Sequence, residues 1–196
     1  MTSPERRQHR VHLPAATTIT GAENQTIELG TATGHAKGAR ASVSALNADL
    51  THAVAAARGR GKDKTYYIEI DPTYYSATSK TFIGAVFPRF GMRDIADAAE
   101  KAGSGYPQIS AGYVLKEDSE YVFLADTVCC QVNPKNFSAR PGFSTLRAVR
   151  VGHVFAVNDS VASEWGPHSL ESFVSVIDED LTRAGNSHGH ASGSGT

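Results

Sequence analysis

Few side chains in this sequence stand in a pattern that chemistry requires. Cys129 and Cys130 are adjacent, and a cysteine beside an imidazole is a familiar nucleophile and base, which would make His153 or His168 the partner of Cys129. Joining the two sulfurs to each other would instead close a strained small ring and staple nothing. Asp159 and Glu164 form a possible carboxylate pair, although acidic residues in a loop ahead of a helix also serve as caps and turn formers. His188 and His190 could both ligate a metal, but a defined zinc site uses three or four ligands, so a solvated tail is the better account. Gly61-Lys62 is followed by Asp63, and Ala56 stands where a phosphate loop has its first glycine; that motif fails. Neither Gly-x-Gly-x-x-Gly after a strand nor a Gly-x-Ser-x-Gly elbow occurs, which removes the central element of a dinucleotide site and of an α/β-hydrolase.

What remains is a set of aromatic and polar side chains in three stretches: Tyr74 and Tyr75; Thr127, Cys129 and Gln131; then Asp159, Glu164, Trp165 and His168. Aromatics with a few polar groups suit a bulky, partly apolar molecule. Tyr74, Tyr75, Thr127, Gln131, Trp165 and His168 are the candidate ligand-binding residues, the rings stacking on the ligand and the polar groups orienting it. Trp165, followed by Gly166-Pro167, fits a core plug at a turn as well as it fits a ligand-facing ring.

The elements that must position these residues follow from the apolar runs. Residues 65–70 (TYYIEI), 121–125 (YVFLA) and 154–157 (VFAV) read as buried strands, being short, β-branched and aromatic. Each is followed by one of the three polar stretches, 71–79, 126–136 and 158–168, and loops leaving the carboxyl ends of strands are where open α/β sheets bind ligands. Helices are predicted over 80–90 (Phe82, Ile83, Val86, Phe87 and Phe90 at helical spacing), 94–101, 110–117 with Ser110 as cap, and 169–183 with Leu170, Phe173, Val174, Ile177 and Leu181 inward. Residues 11–13 read as a short strand stopped by Pro14. Strands alternating with helices predict an α/β fold, a mostly parallel sheet with helices on both faces.

A long helical stretch begins at Gly21, with Thr20 as cap and Glu23 as its capping-box partner, and runs to the glycines near residue 60. Gly30, Gly34 and Gly38 each cost about 1 kcal/mol in a helix interior, so a continuous helix needs another backbone close to that face. A helix over 22–58 would be about 55 Å long. It either spans something larger than one small domain or breaks at a glycine.

With 196 residues, 40% apolar and 20% charged, the chain can bury one sizeable core and has length for one domain or at most two small ones. A net charge of −1 gives no electrostatic footprint for nucleic acid or an anionic membrane. No window approaches the roughly 20 apolar residues of a membrane helix, and the first 25 residues lack the apolar core of a secretory signal. As written, the chain is expected in the cytoplasm.

From residue 11 to about residue 183 the chain resembles the carboxyl half of a substrate-binding protein of an ABC importer, in the iron-siderophore and cobalamin family. The resemblance rests on LPAATTITGAENQTIELGTATGH, TFIGAVFPRFGMRDIADAA, YPQISAGYVLKEDSEYVFLAD and ARPGFSTLRAVRVGHVFAVNDSVASEWGP. It implies two Rossmann-like lobes joined by one long interdomain helix, with the ligand in the cleft between them. On that pattern residues 1–20 are a disordered start and a remnant strand of an absent first lobe, 21–60 the linking helix, 61–184 the carboxyl-terminal ligand-binding lobe and 185–196 a disordered tail.

The resemblance further implies a monomeric binding protein that is no enzyme, carries no resident cofactor, and takes a ferric chelate or a corrinoid as its ligand. The family is extracytoplasmic, periplasmic or lipid-anchored at the cell surface, and docks on an ABC permease through a glutamate where this chain has Gly112. Asp118-Ser119-Glu120 stands where Asp-Pro-Asp is common. Glu164 and His168 flank the Trp-Gly-Pro where many relatives carry arginines, which should weaken binding of anionic chelates. The alternative is a degenerate remnant or a cytosolic interaction module no longer serving transport, an expectation motivated by Gly112 and by the missing signal and first lobe.

Overall fold

The runs TYYIE and YVFL lie side by side in the computed structural model, which describes residues 16–157 and 174–184. Among these residues four strands form the sheet: β1 (Thr65–Glu69), β2 (Arg93–Asp94), β3 (Tyr121–Leu124) and β4 (Val154–Ala156). Their order is β2-β1-β3-β4 and every pairing is parallel. Ile68 pairs with Phe123 and Phe123 with Phe155, so the apolar centres of the three long runs are in register.

Side chains alternate across the sheet with a period of two, and two cores result. Tyr66, Ile68, Tyr121, Phe123 and Phe155 face one core, shared with Leu46, Leu50, Val86, Phe87, Ile177 and Leu181. Phe123 lies at its centre, 4.8 Å from the Phe87 ring and 5.8 Å from Phe155. Tyr67, Val122 and Leu124 face the other core, covered by Val114, Phe137, Phe143, Leu146 and Ala148. The expected mostly parallel sheet with helices on both faces is the fold observed.

The stretch 21–60 breaks at a glycine. α1 (Ile19–Ala32) and α2 (Ala36–Ala56) are separate helices, and Gly34 between them takes a φ of 78° that side chains disfavour. The two helices pack on each other: Gly30 is buried, and a methyl group there would overlap the Ala39 side chain. Gly30 therefore serves close backbone approach, as its position in a helix predicts, whereas Gly38 faces open space. The cap is Thr18, whose side chain accepts a hydrogen bond from Gly21 N at 3.0 Å, and not Thr20.

Three other expectations change. Residues 80–90 do not form an α-helix; Gly84–Phe90 is a 3₁₀ segment containing Pro88, whose missing N–H and fixed φ disfavour an α-helical ladder. The apolar side chains named there are all buried. Residues 94–101 begin as strand β2 and continue as a single 3₁₀ turn, Ala96–Ala98. The loop after β3 is shorter than 126–136 because Asn133 caps helix α4 (Pro134–Ser138) through a capping box. The Ser110 cap is as predicted, accepting from Tyr113 N at 3.1 Å at the start of α3 (Ala111–Glu117). α5 (Arg147–Val151) precedes β4, and residues 174–184 are helical with Val174, Ile177 and Leu181 buried. The predicted strand at 11–13, together with Leu170 and Phe173, lies outside the described residues.

Candidate functional site

β1, β3 and β4 end at one edge of the sheet, where Ala125 N donates to Glu69 O at 2.7 Å and Val157 N to Leu124 O at 2.8 Å. The loop after β1 is tightly held. Asp71 Oδ1 accepts from Thr73 N at 2.7 Å and also from the Thr73 hydroxyl; Tyr74 N closes the turn onto Asp71 O at 3.0 Å. Ser76 N donates to Pro107 O at 3.0 Å and Thr78 N to Gly105 O at 2.8 Å, so a second segment buttresses the loop.

Tyr74 sits at a φ of 70° with its side chain half-buried, the Phe143 ring 6.1 Å away and the Arg140 guanidinium 5.5 Å from its centroid. Tyr75 is 40% exposed on the same loop. Thr127 donates its hydroxyl to Val157 O at 2.9 Å, tying the loop after β3 to the end of β4. Gln131 is exposed at a φ of 55°, and its carbonyl oxygen accepts from Asn136 Nδ2 at 2.9 Å. These four candidates thus stand on the loops of one edge, Tyr74 turned partly inward. Trp165 and His168 lie outside the described residues, as do Asp159, Glu164, His188 and His190.

Beneath this edge is a buried polar cluster that reading the sequence missed. Glu69, fully buried, is held by both arms of Arg140: Nη1 to Oε2 and Nη2 to Oε1, each 2.7 Å. The Tyr67 hydroxyl donates to Glu69 Oε2 at 3.1 Å. Rings enclose the guanidinium, Phe137 at 4.9 Å and Phe143 at 5.8 Å from its central carbon. Period-two alternation puts Tyr67, Glu69 and Asp126 on the same face. Asp126 is fully buried, and neither of its oxygens meets an N–H or hydroxyl donor. Burial, then the neighbouring Glu69 charge, pushes its carboxyl up to about 7. Two adjoining carboxylates resist ionising together, so Asp126 holds its proton up to about neutral pH. The available signal was an acidic residue inside the otherwise apolar run TYYIEI, since a buried charge needs a partner.

This protonation has a measurable consequence. Asp126, Asp94 and Asp180 all have carboxyls raised to about 7, in each case chiefly by burial, against about 3.9 for an unfolded aspartate. Between those values the native chain holds protons that the unfolded chain has lost, so their contribution to stability is full below pH ~4 and disappears as pH rises towards 7. Urea midpoints followed across that range should fall, then level off above pH ~7, and Asp126→Asn should make the decline shallower. An unchanged slope in that variant would contradict a protonated Asp126.

Glu69 is fully engaged by Arg140 and Tyr67, and Asp126 is held neutral at the foot of the loops. Cys129 follows the carboxyl end of β3 while His153 precedes the amino end of β4; because β3 and β4 run parallel, the two lie at opposite edges of the sheet and do not meet. Cys129 is instead joined to Cys130, closing a ring between neighbours that ties no two elements together. Among the described residues, no group of three or more His, Cys, Asp and Glu side chains could hold a metal ion. The loops of the carboxyl edge stand over a buried cluster in which Arg140 pairs with Glu69 at 2.7 Å.

An open parallel sheet with loops gathered at its carboxyl edge is the architecture of α/β ligand-binding lobes. A family model described as periplasmic binding protein matches residues 8–161, and the chain belongs to that family. No curated protein matches it. Among solved structures it is similar to a possible iron-binding (periplasmic solute-binding) protein from Staphylococcus epidermidis, with a TM-score of 0.75 and 17% identity over 87% of this chain and 65% of that one. It is similar also to FhuD2 from Staphylococcus aureus with bound ferrioxamine B, at a TM-score of 0.64 and 18% identity over 83% of this chain and 65% of that one. The periplasmic heme-binding protein RhuT from Roseiflexus sp. gives a TM-score of 0.69 and 13% identity over 85% of this chain and 64% of that one. The chain spans just under two thirds of the length of these proteins, and the likenesses establish the fold.

Proposed function

We propose that this chain is a solute-binding component of an ABC importer, its described residues forming one wall of the site for a ferric siderophore or a related metal chelate such as a corrinoid or heme. The observation that carries the proposal is the convergence of loops at the carboxyl edge, braced from below by Glu69, Arg140 and Asp126, with Tyr75 presented outward. Family membership supports it, as do fold relatives whose names record iron, ferrioxamine and heme. Tyr75 and Trp165 would stack on the chelate, and Thr127, Gln131 and His168 would orient it; Tyr74 serves the same wall from within by shielding Arg140. Within this scheme the lobe is a binder and not an enzyme, and the helices of residues 21–60 lead to the other wall.

Gly112 bears on the permease partner. It is exposed in the first turn of α3, and a side-chain carbon added there would meet only Ser110 Oγ, at 3.8 Å. Nothing steric stops a carboxylate from standing at this position, so its lack is a chemical difference from the docking surface that the resemblance implies.

The test is equilibrium dialysis of the chain and of Tyr75→Ala against an iron-loaded siderophore, hemin and cobalamin. Loss of one stacking ring should weaken the bound chelate about ten-fold. Tyr75 is 40% exposed, so the substitution should cost no more than about 1 kcal/mol of stability. Equal affinity of the two proteins would remove Tyr75 from the wall, and failure of all three ligands to bind would overturn the proposal.

A further inference from the structure

The amino edge of the sheet, opposite the loops, carries a second concave surface. A cavity of about 310 Å³ is lined there by Arg60, Lys64, Glu120, Tyr121, Arg147 and His153. No sequence motif joins these residues. They meet because parallel strands bring their amino ends together: Lys64 precedes β1, Glu120 and Tyr121 open β3, His153 precedes β4, Arg147 opens α5 and Arg60 follows α2.

Part of the cluster holds the fold. Glu120 Oε1 takes Lys64 Nζ at 2.9 Å and Arg147 Nη2 at 3.1 Å, and Oε2 accepts from Thr65 N at 3.3 Å. Arg60 Nη1 donates to the end of α2, at 3.3 Å from Ala56 O and 3.4 Å from Ala57 O. Asp118, two residues before Glu120, is engaged by Arg147 N at 2.6 Å. These contacts do not balance the charge. Among the described residues the wall holds three permanent cations and one carboxylate, so two positive charges face the cavity in excess.

The remaining donors are placed around that excess. The side chains of Lys64 and Arg147 stay 40% and 54% exposed, so N–H groups beyond those used on Glu120 reach the opening. Tyr121 is buried, and its hydroxyl is pushed up in pKa by burial and by Glu120 against the opposing pull of Arg147 and Arg60. His153 Nδ1 lies 3.2 Å from Glu120 O, which fixes one end of its ring against the strand.

We propose that this cavity is a binding site for a phosphate-type oxyanion. A dianion matches the two uncompensated charges, guanidinium forks pair with two oxygens at once, and the lysine adds a point charge. The same chemistry is offered by a free phosphate and by the monoester headgroup of an anionic phospholipid. The site shares no residue with the chelate wall and lies at the other edge of the sheet, so it stands or falls separately from the importer function.

Thermal unfolding of the full chain in phosphate, against chloride at matched ionic strength, reads the site. The melting temperature should rise by about 3 °C at phosphate roughly ten-fold above its dissociation constant. Arg60→Met with Arg147→Met should abolish the rise; Arg147→Met alone, which leaves Glu120 paired to Lys64 at 2.9 Å, should weaken phosphate binding about ten-fold. Sedimentation with phosphatidic acid vesicles separates the two sources. Vesicle binding that is lost in Arg147→Met assigns a headgroup, and a phosphate-induced rise without vesicle binding assigns the free anion. No response to either probe, or an undiminished response in Arg147→Met, overturns the proposal.

Discussion

Replacing Arg140 by methionine should destabilise the protein by about 3–5 kcal/mol, the usual consequence of stripping the partner from a buried charge. In a chain of this length that is a fall in melting temperature of roughly 10 °C. The size follows from what is left behind. Glu69 has no solvent exposure, and both of its oxygens are held at 2.7 Å by the guanidinium. Without that group it retains only the Tyr67 hydroxyl, beside an Asp126 that is already neutral. The aromatic rings around Arg140 would lose their cation but keep an apolar occupant, so the loss is electrostatic and not a cavity. Glu69→Leu combined with Arg140→Met should recover most of the stability, since an apolar pair of similar volume often replaces a buried ion pair at little cost. A single Arg140→Met variant within about 0.5 kcal/mol of the parent, the range of an ordinary surface substitution, would contradict this account of the cluster.

Gly84→Ala should cost about 3 kcal/mol, at the upper end for added volume in a packed interior. Its methyl group would be driven into the carbonyl of Thr78 and to within 2.9 Å of Thr81 Oγ1. Neither neighbour can yield cheaply: Thr78 N is bonded to Gly105 O at 2.8 Å, and the Thr81 hydroxyl is occupied by Thr78 O and Gly84 N. Relief would come from displacing residues 71–79, so chelate binding should weaken along with stability. Gly38→Ala is the natural comparison, lying inside α2 with open space where the methyl would go; it should stabilise by about 1 kcal/mol. Urea denaturation of both variants checks the pair. Equal effects would show that the contact at Gly84 is not the constraint.

Legibility of the fold followed the length of its apolar runs. TYYIEI, YVFLA and VFAV were readable as strands because each is an uninterrupted buried segment. β2 was not, because two residues, Arg93 and Asp94, carry no apolar pattern and are recruited by the edge of β1. Residues 80–90 have a helical apolar stripe, and the same side chains are buried in the structure; Pro88 decided the backbone against an α-helix. The 21–60 stretch presented a choice between one long helix and a break, which Gly34 resolved in favour of two packed helices.

The site was legible to a different degree. That loops would gather at one edge followed from strand order along the chain. The floor beneath them did not, because Glu69 and Arg140 are 71 residues apart and an ion pair of that separation exists only once β1 and α4 are packed. Arg140-Pro141-Gly142 is visible as a turn, yet nothing local says that its arginine points inward. The cation-rich cavity at the amino edge is equally silent in sequence, since its members come from five separate elements.

The central claim is that the carboxyl edge of this lobe receives a metal chelate, and its most direct test is a titration of the intrinsic fluorescence of Trp165, the single tryptophan of the chain. Iron-loaded siderophore, hemin and cobalamin are each added to the purified protein. One of them should produce a saturable change, and for the siderophore the iron-free form should not reproduce it. A flat response to all three at millimolar ligand would contradict the claim.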